Sequence, residues 1–260
     1  MRIVRFKTGS KVKYGVLEDS MVRGFRVSPF ARFKGSGSTF DLDGSTYKLS
    51  EVKLLSPCTP SKIIGMGLNY HAHVKETGMT VPPVPLFFIK PSTAVVGPDD
   101  EIVLPYLDKR IDYEGELAVV IGKKAKNVPE KSAKDYVLGY TCIHDATERD
   151  AQASDVQWTR SKSFDTFGPI GPWIETKVDP EDLKLETYLN GELRQSARTS
   201  DLIFGVPKLV NFISSVMTLL PGDVIATGTP AGIAPMKPGD VIEIKIEKIG
   251  TLRNTVVGPK

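Results

Sequence analysis

Cysteine is nearly absent from the 260-residue chain. Cys58 and Cys142 fall in separate segments without metal-type spacing, which points to two buried free thiols rather than a disulfide framework or a zinc site. Asparagine and glutamine are also scarce, at five and three residues, a composition that points to a thermophilic source. No apolar run approaches the roughly 20 residues of a membrane span. The opening residues Met1 to Phe6 alternate like a strand and lack the apolar centre of a signal peptide, so the expected location is cytoplasmic. The net charge is only +3, and no basic cluster is denser than Lys123-Lys124-Ala125-Lys126. That argues against a nucleic-acid partner, for which a concentrated basic face is required. What remains, 40% hydrophobic and 25% charged residues, is ordinary globular composition.

Against this background one stretch stands out, Asp112-Tyr113-Glu114-Gly115-Glu116 followed by Leu117-Ala118-Val119-Val120-Ile121. Alternate side chains of a strand share a face, so Glu114 and Glu116 form a paired oxygen site. Gly115 removes the side chain from the opposite face, which suits a close backbone approach or a bulge. Two adjacent carboxylates repel, and a hard divalent cation such as Mg²⁺ or Mn²⁺ compensates them. A solvated strand edge carrying two surface glutamates is the competing reading of this stretch taken alone.

The rest of the chain supplies further polar groups. Residues 1–57 read as a small β module of short alternating runs interrupted by Gly35-Ser36-Gly37-Ser38, and nothing in it looks catalytic. Residues 58–260 form the second unit. In it, His73 and Glu76 are three apart on a short helical turn ended by Gly78, so a carboxylate can orient an imidazole as a general base, although such pairs are common on surfaces. Leu86–Pro91 reads as a buried strand, Pro129–Tyr136 as a helix, and Val137–Asp145 as a strand ending in an acid that can be a metal ligand or a helix N-cap. Arg149 and Gln152 follow on a polar helical segment, and Lys162 lies in a Gly- and Pro-rich loop that can aim it inward. Asn190-Gly191 marks a type I′ hairpin. Leu209, Val210, Ile213, Val216 and Met217 form a core stripe on a helix after Pro207. Near Thr227-Gly228-Thr229, hydroxyls and backbone amides can contact an oxyanion.

Taken in order, Asn69-Tyr70-x-x-His73-x-x-Glu76, Phe88-Ile89-Lys90-Pro91-Ser92, Glu114-Gly115-Glu116, Asp145-x-x-x-Arg149-Asp150-x-Gln152, Lys162-Ser163-Phe164-Asp165, the Asn190-Gly191 hairpin and Thr227-Gly228-Thr229-Pro230-x-Gly232 resemble the fumarylacetoacetate hydrolase family over about residues 60–257. The resemblance implies a mainly β (α+β) fold, a mixed β-roll or barrel preceded by the small N-terminal module, in a homodimer. It also implies Mg²⁺ or Mn²⁺ on Glu114, Glu116 and Asp145, a His73–Glu76 base dyad on a mobile lid, Lys162 beside metal and substrate, and Arg149, Gln152 and Thr229 on substrate oxygens. Asn69 stands where the longer members carry an additional aspartate ligand, which brings the chain closer to the short acylpyruvase, oxaloacetate decarboxylase and isomerase branch.

The expected activity is therefore metal-dependent chemistry on a 2-oxo acid through a metal-bound enolate. C–C cleavage, by acylpyruvate hydrolysis or oxaloacetate decarboxylation, is the leading expectation. Isomerisation or hydration of unsaturated 2-oxo diacids is the alternative among enzymes. A non-catalytic metal- or metabolite-binding protein on the same scaffold is the alternative outside them.

Overall fold

The computed structural model describes residues 1–35 and 37–259; Ser36, within the expected Gly/Ser turn, lies outside them. Strand accounts for 42% of the chain and helix for 19%, so the fold is mainly β with minor helix, as expected. The diglutamate run forms the strand Gly115–Ile121, buried along its whole length. It pairs antiparallel with Val137–His144 on one side and Val224–Ala226 on the other. It is therefore a central strand, which removes the solvated-edge reading. Its side chains divide between two cores. Leu117, Val119 and Ile121 pack with Ile244, Leu185 and Leu209, whereas Ala118 and Val120 pack with Ile3, Ile63 and Ile174. Having both faces covered explains why the sequence reads as a continuous apolar run instead of alternating with polar residues.

The large sheet runs on from Val224–Ala226 to Lys62–Gly67 and Leu86–Pro91, and from Val137–His144 in the other direction to Gly168–Glu175. There the N-terminal strand Arg2–Thr8 joins it, through Arg2↔Glu175 and Ile3↔Ile174, and carries the meander Lys11–Glu18, Met21–Phe25 and Leu42–Lys48 outward. Residues 56–61 form an irregular link between Lys53–Leu55 and Lys62–Gly67. The strands on either side of that link nevertheless share one sheet. A second sheet, in the order Glu192–Arg198, Lys184–Leu189, Val241–Ile246, Gly250–Val257 and Glu101–Val103, packs its isoleucines against the central strand. The hairpin turn has φ of 54° at Asn190 and 81° at Gly191, the two positive values that type I′ requires.

Glu130–Tyr136 is a helix, as expected, of the 3₁₀ type. Three local expectations need correction. In Leu86–Pro91 only Phe88 and Lys90 are buried, because the strand lies at the end of the sheet and only one face is covered. The helix Val206–Val216 buries Leu209, Val210 and Ile213, but Val216, at its last turn, is exposed. Lys162 sits at the end of a short helix, Thr159–Lys162, and not in a loop.

Candidate active site

Strand pairing brings the three acids together. Gly115 is in register with His144, and the Asp145 amide donates to the Glu114 carbonyl at 2.9 Å, so the end of one strand is fixed against the start of the next. Oxygens of Glu114, Glu116 and Asp145 lie within 4.8 Å of one another, and all three residues are buried. The glycine between the glutamates is required by its surroundings: a Cβ on Gly115 would sit 2.1 Å from Thr187 Oγ1, a close approach the sequence anticipates. The Gly115 amide also donates to Gln195 Oε1 at 3.0 Å. The Asp145 side chain caps no helix; Glu148 does, accepting from the amides of Asp150 and Ala151.

Three buried or mostly buried cations face these acids. Lys162 Nζ donates to Glu114 Oε2 at 2.8 Å and to Asp145 Oδ2 at 2.7 Å. Arg149 donates to Glu114 Oε1 at 2.5 Å, to Asp112 Oδ2 at 2.9 Å and to Gln152 Oε1 at 2.7 Å. Lys90, to which sequence reasoning assigned no role, is fully buried and donates to Asp145 Oδ1 at 2.5 Å. Its signal lay in the alternation of Leu86–Pro91, which turns Phe88 and Lys90 to the same face.

The two glutamates titrate in opposite directions. Burial pushes the Glu114 carboxyl up, but Lys162 and Arg149 outweigh it and hold Glu114 well below the usual carboxylate range. Burial, followed by repulsion from Asp145 and Glu114, holds Glu116 far above it. Glu116 Oε2 accepts from the Gly228 amide at 2.7 Å, while Oε1 is buried without a hydrogen-bond partner. Leaving a buried carboxylate oxygen unpartnered is costly. A hard cation coordinated by Glu116 and its two neighbours would satisfy it, so the donor set, all oxygen and all anionic, fits Mg²⁺ or Mn²⁺. His144, adjacent in sequence, is buried with neither ring nitrogen partnered. Burial, and then Lys90, pushes it down to about 3.

The expected base pair lies on the helix His71–Thr77. His73 Nδ1 is 3.0 Å from Glu76 Oε2, and Glu76 Oε1 accepts from the Gly232 amide at 2.8 Å. The helix is thereby tied to the loop that carries Thr229. A cavity of about 240 Å³ has His73, Glu114, Arg149, Gln152, Lys162 and Thr229 in its wall; Glu116 and Asp145 are buried within 4.8 Å of Glu114 and do not line it. The Thr229 hydroxyl is engaged, donating to the Gly115 carbonyl at 3.0 Å and accepting from Gln195 Nε2 at 2.8 Å. Gln195, buried in the middle of the hairpin strand Glu192–Arg198 opposite Thr187 and overlooked in the sequence, thus holds both the diglutamate strand and Thr229. Asn69 is no ligand. Its amide spans the Thr227 and Phe204 carbonyls and the Phe204 amide at 2.7, 3.1 and 2.8 Å.

Residues 62–257 match the fumarylacetoacetate (FAA) hydrolase C-terminal family, and residues 1–57 match the Rv2993c-like N-terminal family. An uncharacterized protein of Archaeoglobus fulgidus is 57% identical over 225 residues, covering 86% of this chain and 90% of its own. A mitochondrial oxaloacetate tautomerase of Rattus norvegicus is 42% identical, covering 80% and 70%. Among solved structures, 2-hydroxyhepta-2,4-diene-1,7-dioate isomerase from Mycobacterium marinum superposes with a TM-score of 0.91 at 44% identity, covering 99% of this chain and 98% of its own. Maleylpyruvate hydrolase from Sphingobium sp. SYK-6, in complex with manganese(II) and pyruvate, superposes at 0.83 with 33% identity over the whole of both chains. The order of the motifs, the buried acidic triad and the match over residues 62–257 agree: the chain belongs to the fumarylacetoacetate hydrolase family.

Proposed function

We propose that the protein is a divalent-metal-dependent enzyme that cleaves a C–C bond in a 2-oxo acid. The observation that carries this is the buried triad Glu114, Glu116 and Asp145, with an unpartnered Glu116 oxygen, beside a cavity that also presents His73, Lys162 and Arg149. When bound, Mg²⁺ or Mn²⁺ supplies Lewis-acid polarisation of a 2-oxo oxygen and a template for the adjacent carboxylate. Lys162 and Arg149 offset the anionic substrate and the charge that develops on its enolate. With Nδ1–H donated to Glu76, His73 keeps Nε2 as a proton acceptor. On an acylpyruvate, His73 takes a proton from water as the water oxygen adds to the distal carbonyl carbon. The C–C bond next to that carbon then breaks, its electron pair leaves with the pyruvate enolate, the attacked carbon becomes the carboxylic acid, and a proton returned to the terminal carbon of the enolate gives pyruvate. On oxaloacetate the same enolate arises by loss of CO₂, and no water is consumed.

A second reading has support of its own. The rat relative is an oxaloacetate tautomerase and the M. marinum neighbour an isomerase, reactions in which a proton moves and no C–C bond breaks. His73 and the cations serve that chemistry equally well. The test is pyruvate release from acetylpyruvate and oxaloacetate in parallel, with Mg²⁺, Mn²⁺ or EDTA, corrected for metal-only background and followed alongside enol absorbance. Metal-dependent pyruvate supports cleavage. Metal-dependent loss of enol absorbance without pyruvate transfers the assignment to tautomerisation. Oxalate binding with neither reaction leaves the metal site standing and transfers the assignment to isomerisation or hydration of unsaturated 2-oxo diacids; oxalate binding with no turnover of those either marks a non-catalytic binder.

A further inference from the structure

Neither the acidic triad nor the cavity wall uses Tyr113, which precedes Glu114, or Gly232, which ends the run Thr227-Gly228-Thr229-Pro230-x-Gly232. The fold joins these two residues. Tyr113 is fully buried, and its hydroxyl donates to the Gly232 carbonyl at 2.9 Å. Its backbone amide donates to the Ala234 carbonyl at 3.2 Å, and the Met236 amide donates to the Ile111 carbonyl at 2.8 Å. Residues 232–236 are thus laid along the three residues that lead into Glu114. Gly232 has φ of 107°, and a Cβ there would lie 2.2 Å from the Arg194 carbonyl oxygen, so only glycine suits the position. With no side chain to restrict it, the direction of its N–H is set by what holds its neighbouring peptides. That N–H donates to Glu76 Oε1 at 2.8 Å, and the other oxygen of the same carboxylate lies 3.0 Å from His73 Nδ1. Burial pushes the Tyr113 hydroxyl up to about 12, so it remains a donor at neutral pH.

We infer that Tyr113 is a positioning residue for the His73–Glu76 pair: its hydroxyl fixes Gly232, the Gly232 amide fixes one oxygen of Glu76, and the other oxygen of Glu76 holds the imidazole. The inference rests on the proposed function in taking His73 as the base; the link from Tyr113 to Glu76 stands on its own contacts. Because Tyr113 and Glu114 are neighbours, one short segment then sets both a metal ligand and the aim of the base. A hydroxyl that merely satisfied the Gly232 carbonyl would add to stability and leave the base untouched.

The test is Tyr113→Phe, which removes the hydroxyl and keeps the ring, in the full chain. Hydrogen exchange of the Gly232 amide is followed by NMR on ¹⁵N-glycine-labelled protein, with the amide of Gly139, buried in the strand Val137–His144, as internal reference. Relative to that reference, Gly232 is expected to exchange at least about tenfold faster in the variant than in the wild type. In Mg²⁺-saturated enzyme turning over acetylpyruvate, the same substitution is expected to lower kcat by roughly 10–100-fold, up to what a misplacement of about 1 Å costs. KM stays within about twofold, and the substitution causes no further loss in a His73→Ala background, as for residues that act as a unit. Equal fractional losses in the two backgrounds, or unchanged relative exchange of Gly232, overturns the inference. Faster Gly232 exchange in the variant, with no turnover by the wild type, overturns the proposed cleavage and leaves the link from Tyr113 to Glu76 standing.

Discussion

At the scale of single residues, period-two geometry explains both what the sequence discloses and what it conceals. Glu114 and Glu116 were legible because a strand places alternate residues on one face, and Gly115 because a glycine between them implies a close neighbour, which is Thr187. Gly115→Ala is expected to destabilise the fold by about 1–3 kcal/mol, the usual cost of forcing an added methyl into a packed site, as read by denaturant unfolding. Unchanged stability would mean that the Thr187 contact yields freely. Lys90 was legible in the alternation of Leu86–Pro91 and was passed over, whereas Gln195 and the structural use of Asn69 were not legible. Gln195 reaches partners 34, 35 and 80 residues away, and no local pattern encodes such pairings. The thiols behave as their isolation suggests: both are free and fully buried, and burial pushes each up to about 12 from an ordinary 9. Because the folded state holds these protons more tightly than the unfolded one, stability is fully present below about pH 9 and falls as the pH rises from there toward 12. Iodoacetamide at pH 8 is accordingly expected to leave both cysteines unmodified until the protein unfolds; labelling at the native rate of a model thiol would contradict their burial.

Among elements, the helix His71–Thr77 decides how the chemistry is partitioned. It is only seven residues long and ends at Gly78 with φ of 67°, so it depends on tertiary ties, notably the bond from the Gly232 amide to Glu76. The spacing of His73 and Glu76 was visible in the sequence; the tie to Gly232 was not, since it joins residues 156 apart. If His73 activates water, His73→Ala lowers acylpyruvate hydrolysis by roughly 10²–10⁴-fold, the range for a positioned acid–base group, and lowers oxaloacetate decarboxylation much less. Equal losses in the two reactions would assign His73 a different role. Metal affinity serves as the control, because His73 is not among the three carboxylates.

For the whole molecule, the sheet runs unbroken from the N-terminal meander to the acidic strand. Composition and punctuation near residue 57 suggest a separate module, but they carry no information on which strands will pair. Ile3, Val16 and Phe25 share a core with Ile63, Ala118 and Val120, and the latter two alternate with the residues of the opposite core along the strand that begins at Gly115. Removing residues 1–57 is expected to leave a fragment that is insoluble or lacks cooperative unfolding, as judged by calorimetry. A fragment 58–260 that melts cooperatively would show that the N-terminal strands add little to this core.

The proposed chemistry depends most on Glu114, Glu116 and Asp145 holding a cation. Its most direct test needs no substrate: titration of EDTA-stripped protein with Mn²⁺, followed by loss of the free-ion EPR signal, in the wild type and in Glu116→Gln. The prediction is one Mn²⁺ per wild-type chain and binding weakened by at least the roughly 10–100-fold that loss of even a supporting partner costs a metal site. No Mn²⁺ binding by the wild type, or equal affinity in both proteins, would contradict it.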